Sequence, residues 1–160
     1  MKAFGLQLTR EEGWCNSYIG RHSYFKNKGQ PLSLQGRCFT YSSTIHEILH
    51  ALGVFHEHVR PDRDKYLKIL WENIRPECML LASVHNFKKR PKQLARTTTM
   101  YEYDSLMHYG PYMASKGFHK MTMVPIKDVK RNLRLMSRKN KHFTASDSIK
   151  VNTLYQCNLV

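Results

Sequence analysis

No apolar run in these 160 residues approaches the ~20 needed to span a bilayer. The opening stretch MKAFGLQLTREE has neither a sustained apolar segment nor a small-residue cleavage site, so it does not read as a signal peptide. Internal repeats and low-complexity linkers are absent as well. Acidic residues are scarce: 12 Asp and Glu stand against 26 Lys and Arg, a formal net charge of +14. Such a field favours acidic partners, whether nucleic acid, sulfated glycan, anionic membrane or acidic peptide. It is concentrated in FKKRPKQLAR (87–96) and KDVKRNLRLMSRKNKH (127–142). No nucleic-acid-binding motif accompanies it, so specific nucleic-acid recognition is not expected, and a solvated basic surface is the plainer reading. Cys15, Cys38, Cys78 and Cys157 form no C-x-x-C, which argues against a thiolate-ligated zinc or a thioredoxin-like redox site. Their wide spacing suits structural disulfides and an oxidising compartment.

What is present fits one globular domain: 41% hydrophobic and 24% charged residues, in a chain long enough to bury a core. WCNSYIGR (14–21) reads as a short strand before Gly20, and YFKNKGQPLSL as a turn around Gly29 and Pro31 leading into an extended segment. Residues 1–12 show no pattern. The spacing predicts a helix over 40–52, a second over 65–75 stopped near Pro76, and a weaker one through 77–87. Residues 88–140 read as irregular, punctuated by Gly110, Pro111, Gly117 and Pro125. SDSIKVNTLYQC (146–157) reads as a closing helix that Ser146 can cap. The expected class is α+β.

The 40–52 helix carries the chemistry. On a wheel of about 100° per residue, Ile45, Ile48, Leu49 and Leu52 share an arc of about 100°, the stripe of a helix packed on a core. On the far side, His46 and His50 lie about 40° apart and one turn separated, so both imidazoles can face one ion. Glu47 sits beside them, within reach of a metal-bound water. TIHE (44–47) also matches a capping box that would occupy Glu47, but Ile45 already belongs to the stripe, which makes Thr40 the better helix start. The apolar periodicity stops at Gly53, where a left-handed residue can end the helix and swing His56 back as a third nitrogen ligand. His58 is a rival for that role, although the spacing from Gly53 favours His56. Three histidines leave zinc an open position for water, the pattern of a catalytic site.

An HExxHxxGxxH string followed later by SLMHYG (105–110) resembles the metzincin signature of histidine helix and methionine turn, with Met107 as the apolar floor. HEILHALGVFHEHVRPDRDKY (46–66), YEYDSLMHYG (101–110), CNSYIGR (15–21) and SDSIKVNTLYQC (146–157) resemble the astacin metalloproteases, from about Gly13 to Cys157. The resemblance implies a metzincin-like zinc endopeptidase fold acting on protein or peptide substrates, possibly acidic ones, and a secreted location. It implies one catalytic zinc ion on His46, His50 and His56, with Glu47 as general base and Tyr109 as an extra phenolic ligand that swings away to support the transition state. It also pairs Cys15 with Cys38 and leaves Cys157 without its usual partner, with Cys78 free or paired opportunistically. In the family a long helix and the first strands precede the GWCNSYIGR-like segment, and a buried N-terminal amine meets the glutamate at Glu57. Residues 1–160 therefore read as one partial peptidase domain, a truncated isoform or incomplete gene model, with a divergent segment at 1–12. The basic stretch 127–144 replaces a short glycine-containing loop of many relatives. A different expectation is a catalytically impaired form that binds acidic protein or glycan through its basic loops. Nothing in the sequence specifies an oligomeric state.

Overall fold

The computed structural model describes residues 5–9, 15–26, 28–76, 86–95 and 98–157. The chain divides into two units, Met1–Phe55 with His142–Val160, and His56–Lys141.

The first unit is built on a three-stranded sheet. β1 (Leu6–Thr9) runs parallel to β3 (Gln30–Ser33), and the two-residue β2 (Asn16–Ser17) runs antiparallel on the other side of β3. The Gln30 side chain is fully buried in the central strand. Its Oε1 accepts from His22 N–H at 2.9 Å and its Nε2 donates to the Gly20 carbonyl at 3.0 Å, so the strand anchors the loop before it. Helix α1 (Tyr41–Ala51) follows, and Ile48 and Ala51 pack with Leu32, Leu34 and Cys38. Of the expected apolar stripe only Leu49 is fully buried, while Ile45, Ile48 and Leu52 are half-buried. Cys15 and Cys38 form a disulfide with Cα atoms 5.7 Å apart, the pairing that the resemblance implies. Cys157 is exposed and outside any disulfide, and Cys78 lies outside the described residues. Helix α3 (Ala145–Tyr155) closes the unit.

The second unit is centred on an antiparallel ribbon of β4 (Leu67–Ile69) and β5 (Met123–Pro125). Leu67, Ile69, Ile74, Phe87, Tyr101, Met123 and Met136 form its core, with Tyr66, Tyr103 and Tyr109 packed around it. Helix α2 (Val129–Met136) buries Asn132 and Met136 and leaves Lys130, Arg131 and Arg134 exposed.

Four expectations need correction. Residues 65–75 are not a helix: Leu67 and Ile69 are buried on either side of exposed Lys68, and this period of two pairs with the distant 123–125 segment. The 88–140 stretch contains β5 and α2, the latter hidden by its four cationic or amide side chains among eight residues. The cap of α3 is Thr144, whose hydroxyl accepts from Asp147 N–H at 3.1 Å while Asp147 returns a bond to Thr144 N–H at 3.3 Å. Finally, the unpatterned N-terminus contains β1, held by its ladder to β3 while Leu6 and Leu8 stay exposed. Most of the helix expected over 77–87 lies outside the described residues.

Candidate metal centre

Thr40 starts α1, its hydroxyl accepting from Ser43 N–H at 3.1 Å. That choice of cap places Glu47 and His50 in the regular body of the helix. The helix ends at Gly53, with φ +95°, where Gly53 N–H donates to the His50 carbonyl at 2.8 Å and Val54 N–H to the Leu49 carbonyl at 2.9 Å. The bend delivers His56: one ligand atom each from His46, His50 and His56 lies within 4.8 Å of the other two. The His46 and His50 rings stand nearly perpendicular with centroids 4.6 Å apart.

The donors suit zinc. His50 Nδ1 lies 2.9 Å from the Val54 carbonyl, an oxygen that can only accept, so Nδ1 carries the hydrogen and Nε2 the lone pair. Burial, reinforced by the charge of His46, lowers the His50 pKa to about 4, so the ring is neutral at pH 7, the form that ligates. Three imidazole nitrogens are a set that zinc accepts with a position left for water.

Glu47 is buried beside these rings, and burial raises its carboxyl pKa to about 7, against a smaller opposing effect of the Ser17 backbone N–H. His58, the rival ligand, is fully buried. Its Nε2 donates to the Asn86 carbonyl at 2.7 Å and its ring stacks on Tyr109 with centroids 4.1 Å apart. Tyr109 also lies against His56, at 4.4 Å between centroids. Met107 is fully buried, and its carbonyl accepts from Glu57 N–H at 2.9 Å.

Sequence reasoning missed the residues that brace this segment. Buried Arg60 uses all five of its N–H donors: Nε and Nη2 grip Asp62 at 2.9 Å each, Nη1 reaches Glu57 at 2.8 Å and the Met100 carbonyl at 3.2 Å, and Nη2 reaches the Thr99 carbonyl at 2.9 Å. Glu57 Oε1 also accepts from Glu102 N–H at 3.0 Å. Arg63 Nη1 donates to the carbonyls of His58 at 3.0 Å and Phe87 at 2.7 Å. The R-x-D-R-D string signalled these two arginines only as part of a resemblance. His108 was overlooked too: its Nδ1 donates to the Tyr109 carbonyl at 2.7 Å, and its Nε2 accepts from the Tyr101 hydroxyl at 2.8 Å.

Comparison with known proteins agrees with this arrangement. The family model described as Astacin, a peptidase family, matches residues 4–156. Astacin-like metalloprotease toxin 2 of Loxosceles intermedia is 36% identical over 156 residues, covering 93% of this chain and 58% of the relative. Zinc metalloproteinase nas-14 of Caenorhabditis elegans is 39% identical over 145 residues, covering 89% of this chain and 26% of the relative. The chain thus spans less than two thirds of the length of either relative. Among solved structures, High choriolytic enzyme 1, a hatching enzyme zinc-protease from Oryzias latipes, superposes with a TM-score of 0.79 at 33% identity, covering 99% of this chain and 72% of that one. With the family model matched over residues 4–156 of the chain, and three histidines gathered closely enough to share a metal ion, this chain belongs to the astacin family of metalloproteases.

Proposed function

We propose that this chain is a zinc-dependent endopeptidase domain in which His46, His50 and His56 hold one catalytic zinc ion. The observation that carries the reading is the gathering of three imidazole donors within 4.8 Å beside a buried carboxyl group. Bound there, zinc would lower the pKa of a water toward ~7 and polarise the scissile carbonyl. Glu47 takes the proton of the attacking water and returns it to the leaving amine. A carboxyl with a pKa of about 7 can do both near neutrality, and a neighbouring cation favours its ionised form. Tyr109, half-buried against His56, donates its phenolic hydrogen to the oxyanion that develops on the substrate. Met107, fully buried in the same turn, is the apolar floor. The Cys15–Cys38 disulfide supports a secreted protein, and the charge of +14 supports acidic peptide substrates.

The test is cleavage of fluorescently quenched casein by the wild-type chain and by Glu47→Gln, with zinc content measured on both. Glu47→Gln should keep its zinc and lose about 10²–10⁴-fold in kcat, and a chelator should abolish wild-type cleavage until zinc is restored. Wild-type protein that binds no stoichiometric zinc, or a Glu47→Gln variant with full turnover, would overturn the proposal. The exposed cations Lys130, Arg131 and Arg134 on α2 support a second reading, a binding module for acidic protein or glycan. Such a module would be indifferent to Glu47→Gln and would lose affinity steeply as salt rises.

A further inference from the structure

Lys141 ends a strongly basic stretch, yet only 6% of it is exposed. Its Nζ lies 3.2 Å from the carbonyl oxygen of Tyr103, 3.1 Å from that of Ser105 and 3.1 Å from that of His108. An ammonium carries three donors in a tetrahedral fan, and here three backbone carbonyls of a single turn converge on it. Within the turn, Met107 N–H donates to Ser105 Oγ at 3.1 Å and His108 N–H to the Ser105 carbonyl at 3.0 Å, while the Met107 carbonyl accepts from Glu57 N–H at 2.9 Å. Burying a charged amine is costly unless its partners are held in place, and removing it would leave buried carbonyls short of a donor. A lysine kept merely for solubility belongs in water. Arg138, three residues earlier, pairs with Asp104 on the outside of the same turn. Lys141 thus grips residues 103–108 from within, whereas the Arg138 pair lies in solvent, where such a pair contributes little.

We infer that Lys141 is a positioning residue, whose ammonium gathers the carbonyls of Tyr103, Ser105 and His108 and thereby sets the placement of Met107 and Tyr109. Its kinetic consequence rests on the peptidase reading above, whereas its structural consequence does not. The recognition is geometric as well as electrostatic. A planar guanidinium, bulkier and with its N–H groups spread over three nitrogens, cannot direct three donors from a single nitrogen at three carbonyls, so Lys141→Arg should behave like a deletion.

The experiment compares the wild-type chain with Lys141→Met, Lys141→Arg, Lys141→Ala and, as a surface control, Arg138→Ala. Casein cleavage gives kcat and KM, and hydrogen exchange by NMR reports the Met107 and His108 amides in the presence of chelator. Lys141→Met and Lys141→Arg should retain zinc, lose about 10–100-fold in kcat with KM within about twofold, and exchange both amides faster. Arg138→Ala should match wild type in each respect. n-Propylammonium, but not n-propanol, should restore part of the kcat of Lys141→Ala and leave wild type unchanged, which a generally loosened fold would not show. Wild-type kcat and wild-type exchange in Lys141→Met would overturn the inference, as would full rescue by arginine. Should the variants fail to fold, the wild-type protein still decides. A slowly exchanging ammonium signal for Lys141 near neutral pH is expected, and its absence counts against the clamp. A wild-type chain that cleaves nothing would remove the peptidase reading alone, because amide exchange continues to test the turn.

Discussion

Glu47 and His50 lie on the same helix and titrate in opposite senses. Burial raises the Glu47 carboxyl from 4.5 to about 7, so the folded chain holds that proton more tightly and loses the associated stability as pH rises from about 4.5 toward 7. Burial and the charge of His46 lower His50 from 6.5 to about 4, so the unfolded chain binds that proton better and stability falls as pH drops from 6.5 toward 4. Between pH 4.5 and 6.5 the two slopes oppose each other. In the presence of chelator, the urea midpoint of the wild type should therefore vary little from these groups across that window. Glu47→Gln removes one slope, and its midpoint should climb with pH, by up to about 1.4 kcal/mol of stability per pH unit. A flat profile for the variant would contradict the assignment of His50 as a buried neutral ring. Arg60 gives a second expectation at this scale. Arg60→Met leaves the Glu57 carboxylate buried without its cation, which should cost about 3–5 kcal/mol in urea unfolding. Adding Glu57→Gln should recover part of that loss.

At the scale of elements, α1 and the bend behind it are the most legible part of the chain. Thr40, the His46–His50 pair, Gly53 and His56 are all separated by distances that local helix geometry dictates, so one dimension of sequence suffices to place them. The bend can be tested by Gly53→Ala. A Cβ there would meet Gly20 Cα at an ordinary 3.8 Å, so the penalty comes from φ +95° rather than from a clash. Strain of about 1–2 kcal/mol should lower zinc affinity roughly tenfold, read by competition with a chromophoric chelator, while far-UV circular dichroism keeps its helical signal. Equal affinity would show that the bend does not position His56. Elsewhere the local signal runs out. β4 exists because 67–69 finds 123–125 more than fifty residues away, and a short KYLKI run reads equally well as a helix until that partner is known. Helix α2 carries an apolar i, i+4, i+7 set in Val129, Leu133 and Met136, but its eight residues make barely two turns, too short a window for that period to stand out among Lys130, Arg131 and Arg134. Lys141 had no signal at all, because burial of one lysine in a run of cations depends on where the methionine turn lies.

For the whole molecule, metal and fold are linked by mass action. Any ligand that binds the native chain and not the unfolded one adds stability, about 1.4 kcal/mol for every tenfold excess over its Kd. Melting temperature should therefore rise with the logarithm of free zinc in the wild type and stay flat in His56→Ala, as measured by scanning calorimetry in zinc buffers. A wild-type melting temperature independent of zinc would mean that the three imidazoles do not share an ion. The charge of +14 makes the outcome dependent on the medium, so zinc titrations should be run at matched ionic strength.

The knot around Arg60 also governs how this chain could be re-engineered. Glu57, Asp62 and the carbonyls of Thr99 and Met100 all meet at one guanidinium, and the Glu102 N–H donates to the Glu57 carboxylate that it holds. Grafting a relative's 99–102 loop alone would strand those donors, and so would transplanting 57–62 without it. Anyone building chimeras from this scaffold should treat the two stretches as a single interchangeable cassette, however far apart they stand in the gene.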